Sequence, residues 1–326
     1  MEIRQLKYFV AIIDSGSLTK AAELVYVAQP ALSQQLAALE REFGTSLLIR
    51  SSQGVTPTAA GRALYRHARS VLRQLEQVRH DVLQGDEGES GSVALGLPAT
   101  ISSIVSTTLL RTLRERHPGI HLHLTESMGG YLAELLAHGR LDLCVLFRDT
   151  KTAGIGQHFL FDEGLFVVGQ LPGAKVDSIG TCMIDELDGV PMVLPSIAHR
   201  LRMLVERSFA RANCELNVIA DLDSFPTLVS VAASGLARTV LPWSALPEGF
   251  AEQYSVRQLV GEEVFRPVSL CWPTSMPRTA ATLAVQGTLI ELIEDLVHAG
   301  KWVGARQRLP TASKTASKGP GRTATS

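Results

Sequence analysis

Residues 59–84 carry an apolar pattern that a long paired helix satisfies and few other structures can. The stretch contains no proline, and its apolar residues recur at alternating intervals of four and three positions. They are Leu64, Ala68, Val71, Leu75, Val78 and Val82. Such a heptad seam pairs two helices in a coiled coil. The sequence therefore predicts a dimerisation helix over 59–84 and a homodimeric protein.

Residues 1–58 predict a winged helix-turn-helix in front of that helix. The spacing of apolar residues predicts helices over 3–15 and 18–24, and a third helix that starts near Gln29. The strand formers that precede Gly54 predict a short β-hairpin, the wing, with its turn at this glycine. A module of this kind is a common DNA-binding unit, because its last helix fits the major groove.

The third predicted helix begins with the short polar sequence QPALSQQ, which suits contact with base edges. Glutamine pairs well with adenine, and Pro30 and Ala31 can touch thymine methyl groups. Arg50 in the hairpin is expected in the adjacent minor groove, and Thr56 and Thr58 are expected at phosphates. An ordinary polar helix face is the alternative, because glutamine and serine are common there. The candidate DNA contacts are Ser17, Thr19, Gln29, Pro30, Ala31, Ser33, Gln34, Arg50, Thr56 and Thr58.

Charge is distributed unevenly along the chain, whose formal net charge is −1. Residues 1–84 and 301–326 are basic and the segment between them is acidic, which suits ends that meet a polyanion. Between positions 41 and 73 the arginines greatly outnumber the acids, since Glu42 is the single acid. They are Arg41, Arg50, Arg62, Arg66, Arg69 and Arg73. We expect them to form a stripe that neutralises phosphates.

The segment 93–300 alternates predicted strands with predicted helices, which is typical of an α/β domain with parallel sheets. Residues 85–92 are rich in glycine, serine and acids, and predict a hinge before it. The strands and helices fall into two runs, so we expect two lobes joined by crossing segments. The expected parts are lobe I at about 93–161 and 267–300, lobe II at about 162–266, and a disordered basic tail at 301–326.

Ligands of such domains collect at the carboxyl ends of parallel strands, where helix N-termini supply N–H donors. Polar residues follow four of the predicted strands, and together they would line a cleft between the lobes. The candidate effector contacts are Thr100, Ser102, Ser127, Ser196, Phe225 and Thr227. Helix capping is the alternative for each serine and threonine, and it is the more common role.

Other classes of protein find little support in the sequence. The chain has neither an apolar run of membrane-spanning length nor a signal peptide, so a cytoplasmic protein without a membrane partner is expected. The four cysteines are far apart and no histidine cluster has metal-ligand spacing, so we expect no cofactor, metal or disulfide framework. Common nucleotide-binding and hydrolase motifs are absent. An enzyme and an architectural DNA-binding protein are the less favoured alternatives, and catalysis would leave residues 1–84 unexplained.

Within residues 5–58, the segments GSLTKAAELVYVAQPALSQQLAALE and LLIRSSQGVTPT resemble the LysR-type transcriptional regulators. The segments RQLKYFVAIIDSGSLTKAAE, YRHARSVLRQLEQ and ESMGGYLAELLAHGRLDLCVLF are similar to the nitrogen assimilation control branch of that family. The resemblance implies a dimer or homotetramer on double-stranded promoter DNA that controls transcription in response to a small, often anionic metabolite. A regulator of the nitrogen-control type that needs no effector is the alternative.

The resemblance also implies roles for parts of the chain. It implies a two-lobe effector domain like that of periplasmic binding proteins, and a contact with RNA polymerase if the protein is an activator. Many relatives carry arginine where this chain has Gln34, and arginine favours guanine where glutamine favours adenine. The DNA contacts that it implies are Gln29, Pro30, Ser33, Gln34 and Arg50.

Overall fold

A computed structural model of the chain describes residues 1–51, 54–84, 89–148, 150–169, 179–261, 264–275 and 277–308. Its helices are α1 (Ile3–Ser15), α2 (Leu18–Leu24), α3 (Gln29–Phe43), α4 (Ala59–Gln84), α5 (Ala99–Arg116), α6 (Gly129–Ala137), α7 (Arg200–Ala212), α8 (Phe225–Ala233), α9 (Phe250–Gln253) and α10 (Ala280–His298). Its strands are β1 (Leu48–Ser51), β2 (Gly54–Pro57), β3 (Gly91–Leu97), β4 (Ile120–Glu126), β5 (Leu143–Leu146), β6 (Ile155–Val168), β7 (Gly180–Cys182), β8 (Met192–Leu194), β9 (Val218–Asp221), β10 (Thr239–Pro242), β11 (Val256–Leu259), β12 (Phe265–Pro273) and β13 (Ala305–Arg306). Two short 3-10 helices cover Ile184–Leu187 and Trp243–Ala245.

The first three helices form the predicted helix-turn-helix around a core of their own. α1 ends at Gly16, whose left-handed backbone (φ 63°) stops the helix, and Ser17 caps α2 by accepting a hydrogen bond from the Lys20 N–H (3.4 Å). Buried side chains of this core from α1 and α3 are those of Leu6, Phe9, Ile12, Leu32, Leu36 and Leu39. The predicted wing is confirmed as the antiparallel pair β1–β2, in which Arg50 lies opposite Val55.

The predicted long helix is confirmed as α4, and its two ends have different surroundings. Near its start, Tyr65 and Ala68 are buried against the helix-turn-helix. Further along, the apolar seam is open to solvent in the single chain: Val78 is 57% exposed and Val82 is 77% exposed. Residues 85–88 of the predicted hinge lie outside the described residues, and its last two positions belong to β3, which begins at Gly91.

Lobe I is a sheet of order β4-β3-β5-β12-β6 that packs against α5 and α10. β3 runs parallel to β4 and β5, as expected for strands joined by helices. β12, however, is antiparallel to both β5 and β6. The expected parallel pairing therefore holds for β3 and its neighbours, whereas the two strands that cross between the lobes, β6 and β12, run in opposite directions.

Lobe II is built on the second half of β6. This half pairs with β10 and β11, and β11 pairs in turn with β7. β8 and β9 form a parallel pair beside them, and α7 and α8 pack on the same core. The predicted lobe boundaries, at 161/162 and 266/267, thus fall inside the continuous strands β6 and β12 and not in loops.

The chain after α10 returns to the sheet, which differs from the predicted tail. Trp302 is only 3% exposed and packs on Phe161, with ring centroids 4.7 Å apart. β13 then pairs with β6, and Arg308 donates two hydrogen bonds of 2.7 Å to the buried carboxylate of Asp162. The sequence missed this segment because its apolar residues are few and follow no period. Residues 309–326 of the predicted tail lie outside the described residues.

Candidate DNA interface and effector cleft

The first turns of α3 present the polar groups that were predicted to read DNA. Gln29, Pro30, Ala31 and Gln34 are exposed, and Ser33 is half-buried. Among the described residues, the side chains of Gln29 and Gln34 form no hydrogen bond to the rest of the chain. Their amide groups are therefore available to donate and accept hydrogen bonds with base edges.

The wing lies beside the recognition helix and its place is fixed by backbone contacts. Arg50 is exposed, and its Nη2 lies 3.5 Å from the Ser33 Oγ on α3. The Val55 N–H donates to the Gly16 carbonyl (2.9 Å), and a Cβ on Gly54 would come within 2.7 Å of that oxygen. Position 54 therefore has to be glycine for this approach, and the wing and α3 form one continuous surface.

Three threonines among the predicted DNA contacts, of which Thr56 and Thr58 were expected at phosphates, differ in how far they are available to DNA. Thr56 is exposed on β2, and Thr19 is exposed on α2. The Thr58 hydroxyl donates to the Ser46 carbonyl (2.8 Å) and accepts from the Gly61 N–H (3.0 Å). Thr58 therefore caps α4, and its hydroxyl hydrogen is already used within the chain.

The expected arginine stripe is not one free basic surface. Arg69 Nη1 pairs with Asp14 at 3.2 Å, and Tyr65 donates a hydrogen bond to the same carboxylate. Burial is the largest of the causes that raise the pKa of Tyr65 well above its usual value. Arg62 donates to the Pro57 carbonyl (2.9 Å), and the side chain of Arg73 lies outside the described residues. The sequence window missed Asp14 because α1 supplies it from outside the arginine-rich segment.

The lobe I residues predicted for the effector cleft are mostly bonded within the chain. Thr100 is buried at the start of α5, and its hydroxyl accepts a hydrogen bond from Arg266 Nη2 (3.0 Å). Ser102 is buried and its hydroxyl lies 2.9 Å from the Ser106 Oγ. Ser127 is half-buried before α6 and donates its N–H to the Leu97 carbonyl (3.3 Å).

The lobe II residues surround the starts of α7 and α8. The Ser196 N–H donates to Asp223 (2.9 Å), and this bond lowers the pKa of that carboxyl. Phe225 meets the ring of His199 edge-on at 5.8 Å. Burial and, to a smaller extent, Arg266 lower the pKa of His199, so this imidazole is neutral and its Nδ1 accepts from the N–H of residue 201. Thr227 is exposed, and its hydroxyl donates to the Oγ of Ser224 (3.0 Å), the residue that caps α8, so this hydroxyl too is bonded within the chain.

Side chains from both lobes meet across the cleft at residues that were not among the predicted contacts. Arg200, the first residue of α7, donates to the Phe147 carbonyl at the end of β5 (3.0 Å). Ser103 of α5 donates to the Ser244 carbonyl in lobe II (3.3 Å). Thr100 and Ser196 therefore belong to a cleft whose walls already touch each other in the single chain.

A buried ion pair lies where the crossing strands meet, and it too was missed. Arg266 of β12 lies opposite Glu163 of β6 in the strand register, with its Nε 2.7 Å from a Glu163 carboxylate oxygen. The guanidinium also stacks on the ring of Phe147, 3.7 Å from its centroid. The signal in the sequence was a charged residue within each of two apolar strands, since charges are almost never fully buried unless they are paired.

The described residues offer no candidate metal site, and their two facing cysteines are buried. In the described part of the chain no three histidine, cysteine or acidic residues form a metal-binding group. Cys144 and Cys271 are buried opposite each other in β5 and β12, and burial raises the pKa of both thiols, that of Cys271 to about 11. Such thiols are protonated and unreactive at neutral pH. None of the described helices is long and apolar enough to cross a membrane.

Comparison with known proteins identifies the class to which this arrangement belongs. The family model for the LysR substrate binding domain matches residues 86–293, and the model for the bacterial regulatory helix-turn-helix protein of the LysR family matches residues 3–62. The chain belongs to the LysR family of transcriptional regulators. Its fold is α/β, with a winged helix-turn-helix followed by a two-lobe effector domain like that of periplasmic binding proteins.

Two individual proteins are similar to this chain over most of its length. The chain is 41% identical over 248 residues to the nitrogen assimilation regulatory protein nac of Escherichia coli, which covers 75% of this chain and 79% of that protein. It is 42% identical to the protein of the same name from Klebsiella aerogenes, with the same coverage. By name, both relatives are regulatory proteins of nitrogen assimilation.

Solved structures agree in fold. Full-length OxyR from Pseudomonas aeruginosa, in a cysteine-to-aspartate variant, superposes with a TM-score of 0.69 at 25% identity, covering 90% of this chain and 98% of that chain. CbnR in complex with its target DNA superposes with a TM-score of 0.51 at 23% identity, covering 90% of this chain and 100% of that chain.

Proposed function

We propose that the protein binds promoter DNA with α3 in the major groove and Arg50 in the neighbouring minor groove. One observation carries the proposal: the amide groups of Gln29 and Gln34 are exposed beside Ser33 and the wing arginine and have no hydrogen bond within the described part of the chain. Base recognition needs such unsatisfied donors and acceptors on a helix end. Thr19 and Thr56 lie exposed at the flanks and would contact phosphates, whereas Ser17 and Thr58 fix the ends of α2 and α4.

Selection from random double-stranded oligonucleotides by the full chain tests this interface. We expect enrichment of a site with two similar halves, because a symmetric dimer presents two recognition helices. The variant S33A/Q34A should lose at least tenfold in affinity for the selected site, since a good base contact is worth about 1–3 kcal/mol. Gln35→Ala is the matched control, because Gln35 is bonded to Gln5 (3.3 Å) and faces the protein. Equal affinity of wild type and S33A/Q34A would contradict the proposal.

The proposal includes assembly into a homodimer through α4 and into a homotetramer through the effector domains. The seam on α4 leaves apolar side chains uncovered that a second α4 would bury. The effector domain carries further exposed apolar residues on two of its helices and on the edge strand β9: Leu110, Met203 and Ile219. Analytical ultracentrifugation of the full chain, with and without the selected DNA, distinguishes monomer, dimer and tetramer.

For the effector domain we propose that a small anionic metabolite binds at the mouth of the cleft. The starts of α7 and α8 support this, because helix N-termini favour anions and Ser196, Phe225 and Thr227 lie there. Ser127, Thr100 and Ser102 would form the lobe I side. A thermal-shift screen of metabolic anions against the full chain tests binding, since a ligand of the folded state raises the melting temperature.

A second candidate is a regulator that needs no effector. It is favoured by one observation: the hydroxyls of Thr100, Ser102 and Thr227 are bonded within the chain, and the lobes already touch. Absence of any thermal shift across the anion panel, together with unaltered specific DNA binding, would support this candidate.

If the protein is an activator, its complex with promoter DNA should also retain RNA polymerase in a mobility-shift assay.

A further inference from the structure

Glu163 is a fully buried carboxylate at the point where the two lobes join. It is 0% exposed and lies in the middle of β6, the strand that both lobes share. One oxygen, Oε1, accepts hydrogen bonds from the Ser244 hydroxyl (2.8 Å) and from the Trp302 indole N–H (3.1 Å). The other, Oε2, accepts from Arg266 Nε (2.7 Å) and lies 2.6 Å from Arg266 Nη2. Each carboxylate oxygen thus has two donor atoms within hydrogen-bonding distance, and those at Oε2 belong to a guanidinium.

The donors to this carboxylate come from three different parts of the effector domain. Ser244 belongs to lobe II, Trp302 to the segment that closes lobe I, and Arg266 to the second crossing strand. Arg266 extends the network to Thr100 at the start of α5. Ser244 also receives the hydrogen bond from Ser103 on its carbonyl oxygen. One anion thus joins lobe I, lobe II and the strands between them.

The same position would otherwise suit a carboxylate from solution. A buried guanidinium without a partner costs several kcal/mol, so Arg266 requires an anion beside it. Hydroxyl and indole donors complete a set that fixes the orientation of a carboxylate. Glu163 contacts the Ser244 hydroxyl, the Trp302 indole and two nitrogens of Arg266, and so occupies the place that a second carboxylate would take.

We propose that Glu163 acts as a built-in carboxylate ligand, which holds the lobes together and excludes carboxylate metabolites from the junction between them. This inference rests on the proposed function and deepens its second candidate. Glu163 is then the residue that determines ligand specificity at this point. A chain that lacks its side chain becomes dependent on a small carboxylate from solution.

Full-length Glu163→Ala provides the test, with acetate as the probe. The substitution removes Cγ and the carboxyl group, which together have the size of acetate. We expect the variant to melt below wild type, and sodium acetate at ten times its dissociation constant to raise that melting temperature by about 3 °C over equimolar sodium chloride. Wild type should respond equally to both salts. Hydrogen exchange of the amides at 244–246 should be faster in the variant and slow again in acetate.

Asp162→Ala is the matched control. Asp162 is the neighbouring buried acid of β6, but it pairs with Arg308 at the domain edge and not with lobe II. The control should melt at a lower temperature than wild type. Hydrogen exchange of its amides at 244–246 should be as slow as in wild type, and acetate should not raise its melting temperature above that in sodium chloride. A similar response of the control would overturn the proposal, because acetate would then be a general stabiliser of damaged variants.

A folded Glu163→Ala variant that ignores acetate would also overturn the proposal. If circular dichroism shows that this variant does not fold, Ser244→Ala carries the test, because it removes only the lobe II donor. We then expect faster exchange at residues 147 and 244–246, and exchange rates equal to those of wild type would refute the role of Glu163. Failure of wild type to select a DNA site would refute the proposed promoter binding and leave the acetate result unaffected.

Discussion

Two C-terminal truncations test whether residues 301–308 close the effector domain. A chain that stops after Gly300 loses Trp302, β13 and Arg308, whereas a chain that stops after Arg308 keeps all three. The first should be strongly destabilised and the second should melt like the full chain. The two truncated chains differ only in the eight residues 301–308, so a difference between their melting temperatures reports on these residues alone.

The magnitude follows from what these residues bury. Removal of a buried tryptophan side chain costs about 3–5 kcal/mol. Loss of its indole donor leaves Glu163 one hydrogen bond short, and loss of Arg308 leaves the buried Asp162 unpaired, which costs roughly 1–3 kcal/mol for each. Since about 1 kcal/mol shifts the melting temperature of a domain of this size by 2–4 °C, the shorter chain should melt on the order of 10 °C or more below the full chain.

Thermal melts followed by far-ultraviolet circular dichroism measure the difference. Trp302→Phe isolates the hydrogen bond to Glu163, because it keeps most of the buried ring, and should lower the melting temperature by only a few degrees. Equal melting temperatures for the chain that ends at 300 and the chain that ends at 308 would refute the structural role of this segment.

Three further predictions concern the seam, the wing and the cleft. Val78→Asp places a charge in the exposed seam, so the full chain should sediment at a lower molecular mass than wild type. Arg50→Ala should reduce the steepness with which log affinity falls against log salt concentration by about 1, because one phosphate or groove contact is lost. His199 has a pKa lowered from 6.5 by burial, so the unfolded chain takes up its proton first and stability should fall as the pH falls below 6.5. His199→Gln should remove this component, and an unchanged pH profile in urea melts would contradict the assignment.

The helix-turn-helix could be predicted almost to the residue because its signals are local. Gly16, Ser17 and Gly44 stop or start helices by their own backbone preferences, and the apolar residues between them repeat with the helical period. The strands of lobe I followed equally from short apolar runs between helices. The number and direction of strands in the sheets did not, because polar residues interrupt β6 and because β7, β11 and β13 are too short or too polar to give a pattern.

The candidate cleft could be predicted only in part. Sequence reasoning found residues at strand ends, such as Thr100 and Ser196, because topology brings strand ends together. It could not find the pairing of Glu163 with Arg266, which lie 103 positions apart and meet only through the register of two crossing strands. Arg69 and Asp14 give the same lesson in the DNA-binding domain. A charge whose partner lies far along the chain looks free in a sequence.

Lobe I is built from two separate stretches of chain, and this has a consequence for synthesis on the ribosome. Its core packs α5 against α10 and is closed by Trp302, which are made at opposite ends of the effector domain. Domains fold as they emerge, at about 5–20 residues per second, so the helix-turn-helix and α4 are complete long before lobe I. A message cut short within the effector domain therefore yields a product that keeps α3, the wing and α4, the parts proposed to bind DNA and to pair, but lacks a finished effector domain. Such fragments would compete with the intact regulator for its sites.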